Sequence, residues 1–155
     1  MTTRRLTLIA AAALAAAAAA LLPTGEAQAN RSTDTVLKLS VTGTKLSTVD
    51  VPPLITSKRS PESPGDEIIA VSKIGGSATG HRFLVCAATQ SAASIEKALY
   101  ACQVTYTLAG GTITASGVVH LNDTATAAIT GGTGAYAGAR GVLTSAPGKD
   151  TLTLQ

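Results

Sequence analysis

The chain has no tryptophan, one phenylalanine (Phe83) and three tyrosines among its 155 residues. Aromatic side chains are the bulkiest apolar groups a core can use. Whatever interior this protein builds must therefore be filled mainly by Val, Ile, Leu and Ala. Charge is also scarce: 12 Lys or Arg against 9 Asp or Glu give a net charge of +3. No basic stripe is present, which excludes nucleic acid as a partner. The two histidines, His81 and His120, fall on predicted outer strand faces and lack partners for a metal site.

What is present begins with Arg4 and Arg5, followed by an unbroken apolar run over 8–22 that is mostly alanine. Pro23 and Gly25 end the run, and Ala27-Gln28-Ala29 has the small-x-small shape of a cleavage site. This is the plan of a secretory signal, with the cut after Ala29. The alternative is an uncleaved membrane anchor, but the run is shorter than the roughly 20 residues a spanning helix needs, and no membrane association is expected after cleavage. Whether Arg4-Arg5 marks twin-arginine export or the general route stays open. Removing 1–29 leaves ten basic and eight acidic residues, a net charge of about +2. Residues 30–155 suffice for one domain around one core. Two cysteines remain, Cys86 and Cys102. An even count in an exported chain fits a disulfide, worth about 3 kcal/mol for a loop of this size. The alternative is a pair of free thiols, one of them a nucleophile.

Short Thr/Val/Ile/Leu-rich runs broken by Gly, Pro, Asn and Asp predict strands. They fall over 35–41, 47–56, 67–73, 81–89, 99–109, 112–120, 124–130, 139–145 and 151–154. Segment 57–66, "SKRSPESPGD", reads as a surface loop, Asp123 as a turn residue, and only 92–98 as a short helix. In 99–109 one face carries Tyr100, Cys102, Val104, Tyr106 and Leu108, and the other Ala101, Gln103, Thr105 and Thr107. In 112–120 Ile113, Ala115, Gly117 and Val119 alternate with Thr112, Thr114, Ser116 and His120. One dry face and one wet face are expected of a sheet curled around its own interior. "AGG" at 109–111 is a tight hairpin signal. A Cys86–Cys102 bridge would put Arg82, Leu84 and Ala88 on the interior side with Tyr100, Val104 and Tyr106.

The stretch "ITGGTGAYAGARG" (129–141) holds five glycines, and its context excludes a phosphate cradle. A Walker loop needs Gly-Lys-Ser/Thr and a helix behind it, yet no lysine occurs between Lys97 and Lys149. A dinucleotide fingerprint must open most of a doubly wound domain, and 21 residues follow Gly134. No cofactor is expected. Glycines in or beside strands mark bulges, bends or close backbone approach instead, with Gly131, Gly132 and Gly134 in a turn and Gly138 and Gly141 at the next strand.

This stretch, preceded by "GTITASGVVHLNDTATAA", together with "PGD" at 64–66 and "FLVCAAT" at 83–89, resembles the allene oxide cyclase and dirigent superfamily. Within it the chain is similar to short secreted bacterial barrels with a paired cysteine. The resemblance implies an all-β fold: a small eight-stranded antiparallel barrel of calycin type with an apolar lumen. In the plant cyclases an unstable epoxide folds into a cyclopentenone in that lumen. The family cysteine matches Cys86. The asparagine position falls on Ser72, just before Lys73, and a tyrosine position after Gly117 falls on Val119. The family glutamate has no match; Asp34 and Asp50 are the nearest acids. Dirigent proteins hold quinone methides with lumen acids and arginines, for which Arg82 and Asp66 are the analogues.

The expected lumen residues are thus Ser72, Arg82, Cys86, Tyr100 and Tyr106, with Cys86–Cys102 as a bridge and Tyr100 and Tyr106 also readable as core. No catalytic residue is assigned. Two functions follow: an isomerase or cyclase that steers ring closure of a reactive apolar intermediate without metal or nucleotide, or a non-catalytic secreted ligand-binding or structural barrel. Either takes a small apolar ligand as partner, and the resemblance adds a homo-oligomer. An interior packed shut by Val104, Leu108 and Ile113 would oppose the first function; an open one lined by Arg82, Ser72 or an acid would support it.

Overall fold

The computed structural model describes residues 34–52, 62–121 and 124–155. The expected signal, positions 53–56 of the strand expected over 47–56, much of the 57–66 loop and the turn at Asp123 lie outside the described residues. Eight antiparallel strands close into a barrel in sequence order: β1 (Thr35–Val49), β2 (Glu67–Gly76), β3 (Gly80–Ala88), β4 (Tyr100–Leu108), β5 (Gly111–Val119), β6 (Ala125–Gly132), β7 (Gly141–Ala146) and β8 (Lys149–Leu154). The first strand pairs with the second and the eighth, so no sheet edge is left open. Among the described residues two short helices, Ile95–Lys97 and Gly134–Tyr136, are single 3₁₀ turns in connections; the first is all that forms of the helix expected over 92–98.

The alternating pattern explains the closure. Along β4, Tyr100, Val104, Tyr106 and Leu108 are buried while Ala101, Gln103 and Thr107 face solvent. Ile113 and Ala115 continue the same face on β5. Phe83 and Val85 point outward from β3 and are exposed.

Several strand boundaries differ from the sequence reading, and two of the differences reshape the interior. The segments 35–41 and the start of 47–56 belong to one strand, β1. Its register against β2 slips between Thr42 and Lys45, where Gly43 has a φ of +60°. This bulge shifts the alternation by one residue, so the inward set passes from Val41 to Thr44 and Leu46, all on the cavity wall. A second bulge, between Thr114 and Ala115 on β5, leaves Thr130 of β6 as the extra residue. The eighth strand begins at Lys149 rather than Thr151. That earlier start carries Asp150 into the interior.

The glycine-rich stretch bends the chain, as its context implies. Gly134 has a φ of +62°, and a Cβ there would collide with the Gly110 carbonyl. Gly141 has a φ of +136°, and a Cβ would run into the Thr153 carbonyl of β8. Only glycine lets these backbones approach so closely.

Candidate functional site

The barrel interior is divided into two halves. At the end formed by the β2–β3 and β4–β5 hairpins, Leu39, Ile74, Leu108, Ile113, Ile129 and Leu154 pack into a closed core. Toward the other end a cavity of about 380 Å³ opens. Its walls are mostly aliphatic, with Leu84, Val104 and Leu143 among them, and the β7–β8 hairpin residues Pro147 and Gly148 form part of its rim. Leu108 and Ile113 therefore seal one half only.

A polar crossbar lies within the lumen. Ser72, Arg82 and Tyr106 are cross-strand neighbours on β2, β3 and β4. Asp150 reaches in from β8 and is fully buried. Its Oδ2 accepts a hydrogen bond from the Tyr106 hydroxyl at 2.6 Å and lies 3.4 Å from Arg82 Nη1. The fourth and eighth strands are diametrically opposed in an eight-stranded ring, so the Tyr106–Asp150 contact spans the lumen. Burial, and then the negative charge of Asp150, pushes the Tyr106 hydroxyl well above its ordinary pKa. Tyr106 thus keeps its proton and remains a donor. Arg82 Nε and Asp150 Oδ1 are buried without hydrogen-bond partners among the described residues. Unused hydrogen-bonding capacity in a dry interior is costly; of these two residues Arg82 is on the cavity wall.

The five expected lumen residues separate. Arg82 lines the cavity. Tyr106 touches Asp150 in the crossbar, and Ser72 hydrogen-bonds Thr44 at 2.8 Å. Cys86 and Tyr100 belong to a second cluster, with Ile68, Ala88 and Ala98. Burial, and then the Glu62 carboxylate beside it, pushes the Tyr100 hydroxyl up. Cys86 and Cys102 stand opposite each other on β3 and β4 and form a disulfide, which removes the free-thiol alternative. Cys102 is on the cavity wall, so the bridge backs the lumen.

Asp66 takes a different place from the dirigent analogue that the resemblance implies. It accepts from the Val51 and Ser63 backbone N–H groups and from the Ser63 hydroxyl. The Ser63 N–H first, then that of Val51, holds its carboxyl below the usual range. It organises the turn before β2.

Both histidines are exposed, as read, but β5 ends at Val119 and His120 stands at the mouth of the cavity, whose lining it joins. Its Nδ1 lies 2.8 Å from the Ala98 carbonyl oxygen.

The residue that sequence reasoning missed is Asp150. The signal was there: Asp150, Leu152 and Leu154 share one parity, and "PGK" before them is a turn. The arrangement can hold a hydrogen-bond acceptor on the Arg82 guanidinium, with Asp150 and Tyr106 fixing that side chain. Oriented donors in a dry site can also stabilise developing negative charge on oxygen.

No family model matches the chain, and no curated protein matches it. Seventeen chains of solved structures do. Among them is pyocyanin demethylase, 26% identical, with the match covering 78% of this chain and 100% of that one at a TM-score of 0.63. The chain is therefore similar to a protein whose fold is a related β-barrel, a likeness that does not single out the allene oxide cyclase and dirigent group.

Proposed function

We propose that this protein holds a small apolar molecule in the open half of its barrel, with one polar group of that molecule on Arg82. The observation that carries the reading is the 380 Å³ aliphatic cavity meeting the Arg82–Asp150–Tyr106 crossbar. A mostly apolar hollow with a few converging polar groups is the usual form of a small-molecule site. Native mass spectrometry of the protein, incubated with a panel of apolar carbonyl compounds and with pyocyanin, tests it. Retained ligand is expected for the natural chain and loss of ligand for Ala127→Leu, which narrows the cavity. No retention of any panel member by the natural chain would end the reading.

The unpartnered Arg82 Nε and Asp150 Oδ1 favour a finer reading. In it the barrel is an isomerase or cyclase of allene oxide cyclase or dirigent type. Arg82 steadies oxygen charge during rearrangement of the bound molecule, and Asp150 and Tyr106 position Arg82. The structural neighbour's name describes an enzyme, a demethylase, which supports catalysis on this kind of barrel. Retained ligands recovered with altered structure, and unaltered when Arg82→Gln still binds them, would bear it out. Recovery unaltered from the natural chain would leave binding alone. Export belongs to the same proposal: N-terminal sequencing of the protein from culture medium is expected to begin at Asn30.

A further inference from the structure

We infer that the cavity selects an uncharged apolar carbonyl compound that also carries a hydroxyl or N–H donor, the carbonyl going to Arg82 and the donor to His120. The inference rests on the ligand-binding reading above and names its chemical class.

The charge balance at Arg82 decides the first half. Arg82 and His120 are the two titratable side chains on the cavity wall among the described residues. The guanidinium is already paired with a fully buried carboxylate, Asp150, at 3.4 Å. An incoming anion would place a second negative charge beside Asp150 and away from water, where like charges repel strongly. A neutral acceptor, such as a ketone, aldehyde, ester or amide oxygen, meets the guanidinium without that repulsion. The aliphatic walls fit the remainder of such a molecule.

The tautomer of His120 decides the second half. A carbonyl oxygen only accepts, so the ring nitrogen facing the Ala98 carbonyl carries the hydrogen. In the neutral ring the other nitrogen, Nε2, is then an acceptor. No protein partner occupies it among the described residues, and the ring stands at the exposed mouth of the cavity. The other wall hydroxyls discriminate less. Thr44 is engaged by Ser72, and Ser145 can donate or accept. His120 therefore makes the wall selective for a donor on the ligand, at a second point away from the crossbar.

The test uses 2-alkanones of 8, 10 and 12 carbons, the matching ω-hydroxy-2-alkanones and the matching fatty acids, titrated calorimetrically into the full chain. At one length the ω-hydroxyl is expected to tighten binding about fivefold or more, as one well-placed hydrogen bond does. The fatty acids are expected to bind about tenfold more weakly than the ketones. The ratio between hydroxy ketone and ketone is read within each variant, so a general loss of fold does not imitate the result. In His120→Phe that ratio should fall below about twofold. In His120→Gln, whose amide can both donate to Ala98 and accept from the ligand, it should recover. A hydroxyl gain at no chain length, a gain that survives His120→Phe, or fatty acids binding tighter than ketones would overturn this inference while ligand binding stands. Failure of every probe to bind would overturn both.

Discussion

The Tyr106 hydroxyl donates to Asp150 Oδ2 across 2.6 Å, joining strands on opposite sides of the lumen. Arg82 meets the same oxygen at 3.4 Å. Tyr106 belongs to the same buried cluster as Leu108 and Ile113. A polar tie in that position also restricts how the two halves of the barrel wall can shift against each other.

The tie should be measurable as stability. Removing one partner of a buried charged pair strands the other. Asp150→Ala is expected to cost about 3 kcal/mol in urea unfolding, and Tyr106→Phe about 1–2 kcal/mol. Replacing both charges, as Arg82→Met with Asp150→Leu, should cost less than Asp150→Ala alone, since no charge is then left in the interior. Equal unfolding midpoints for the natural chain and Asp150→Ala would show that the crossbar holds nothing together.

How much of this was legible beforehand depends on the regularity of each strand. The β4 and β5 faces could be assigned residue by residue, because strict period-two alternation runs through both and a tight hairpin joins them. The interior placement of Arg82 followed from the same parity, once Cys86 and Cys102 were set face to face. Asp150 was missed for a physical reason. An apolar pattern ends a strand at its last apolar inward residue, and a carboxylate at the next inward position looks like turn. Only a partner on the far side of the barrel makes its burial tolerable, and that partner lies 44 residues away in sequence. The Gly43 bulge hid the continuity of β1 by breaking its period. His120 is exposed as its parity implied, but its place at the cavity mouth was not legible, because parity has meaning only while the strand lasts and β5 stops one residue earlier.

The disulfide gives the second stability prediction. Cys86 and Cys102 are held opposite each other by the β3–β4 pairing, and Cys86 is fully buried. The bridge therefore acts mainly by restricting the unfolded chain. The double substitution Cys86→Ala with Cys102→Ala is expected to lower the melting temperature by roughly 10 °C, from about 3 kcal/mol in a domain of this size. The barrel should still fold, because the ladder and the core remain. A melting temperature unchanged by the substitution, or by a thiol reductant acting on the natural chain, would contradict this.

Asp66 should make the turn before β2 acid-sensitive. Its carboxyl is held below the ordinary value of 3.8 by the N–H groups of Ser63 and Val51. A group whose pKa is depressed on folding stabilises the fold above its unfolded value and loses that contribution as pH falls through its folded value. The contribution is thus complete at neutral pH and disappears below about pH 4. Asp66→Asn is expected to be less stable than the natural chain at pH 7, with the difference shrinking as the pH is lowered toward 2. A difference that stays constant across that range would mean that Asp66 acts through shape alone.

Gly141 tests whether the glycine-rich stretch is there for geometry. It opens β7 at a φ of +136°, with the Thr153 carbonyl of β8 where a side chain would begin. Gly141→Ala must therefore both adopt an unfavourable backbone conformation and push β7 away from β8. A loss of more than about 2 kcal/mol is expected. Gly138 is the control within the same stretch. It also has a positive φ, +77°, but a Cβ there meets nothing within 4 Å. Gly138→Ala should then cost about 1 kcal/mol, the backbone part alone. Equal losses at the two sites in chemical denaturation would mean that the close approach of β7 to β8 adds nothing, and that the stretch needs glycine only for its dihedral angles.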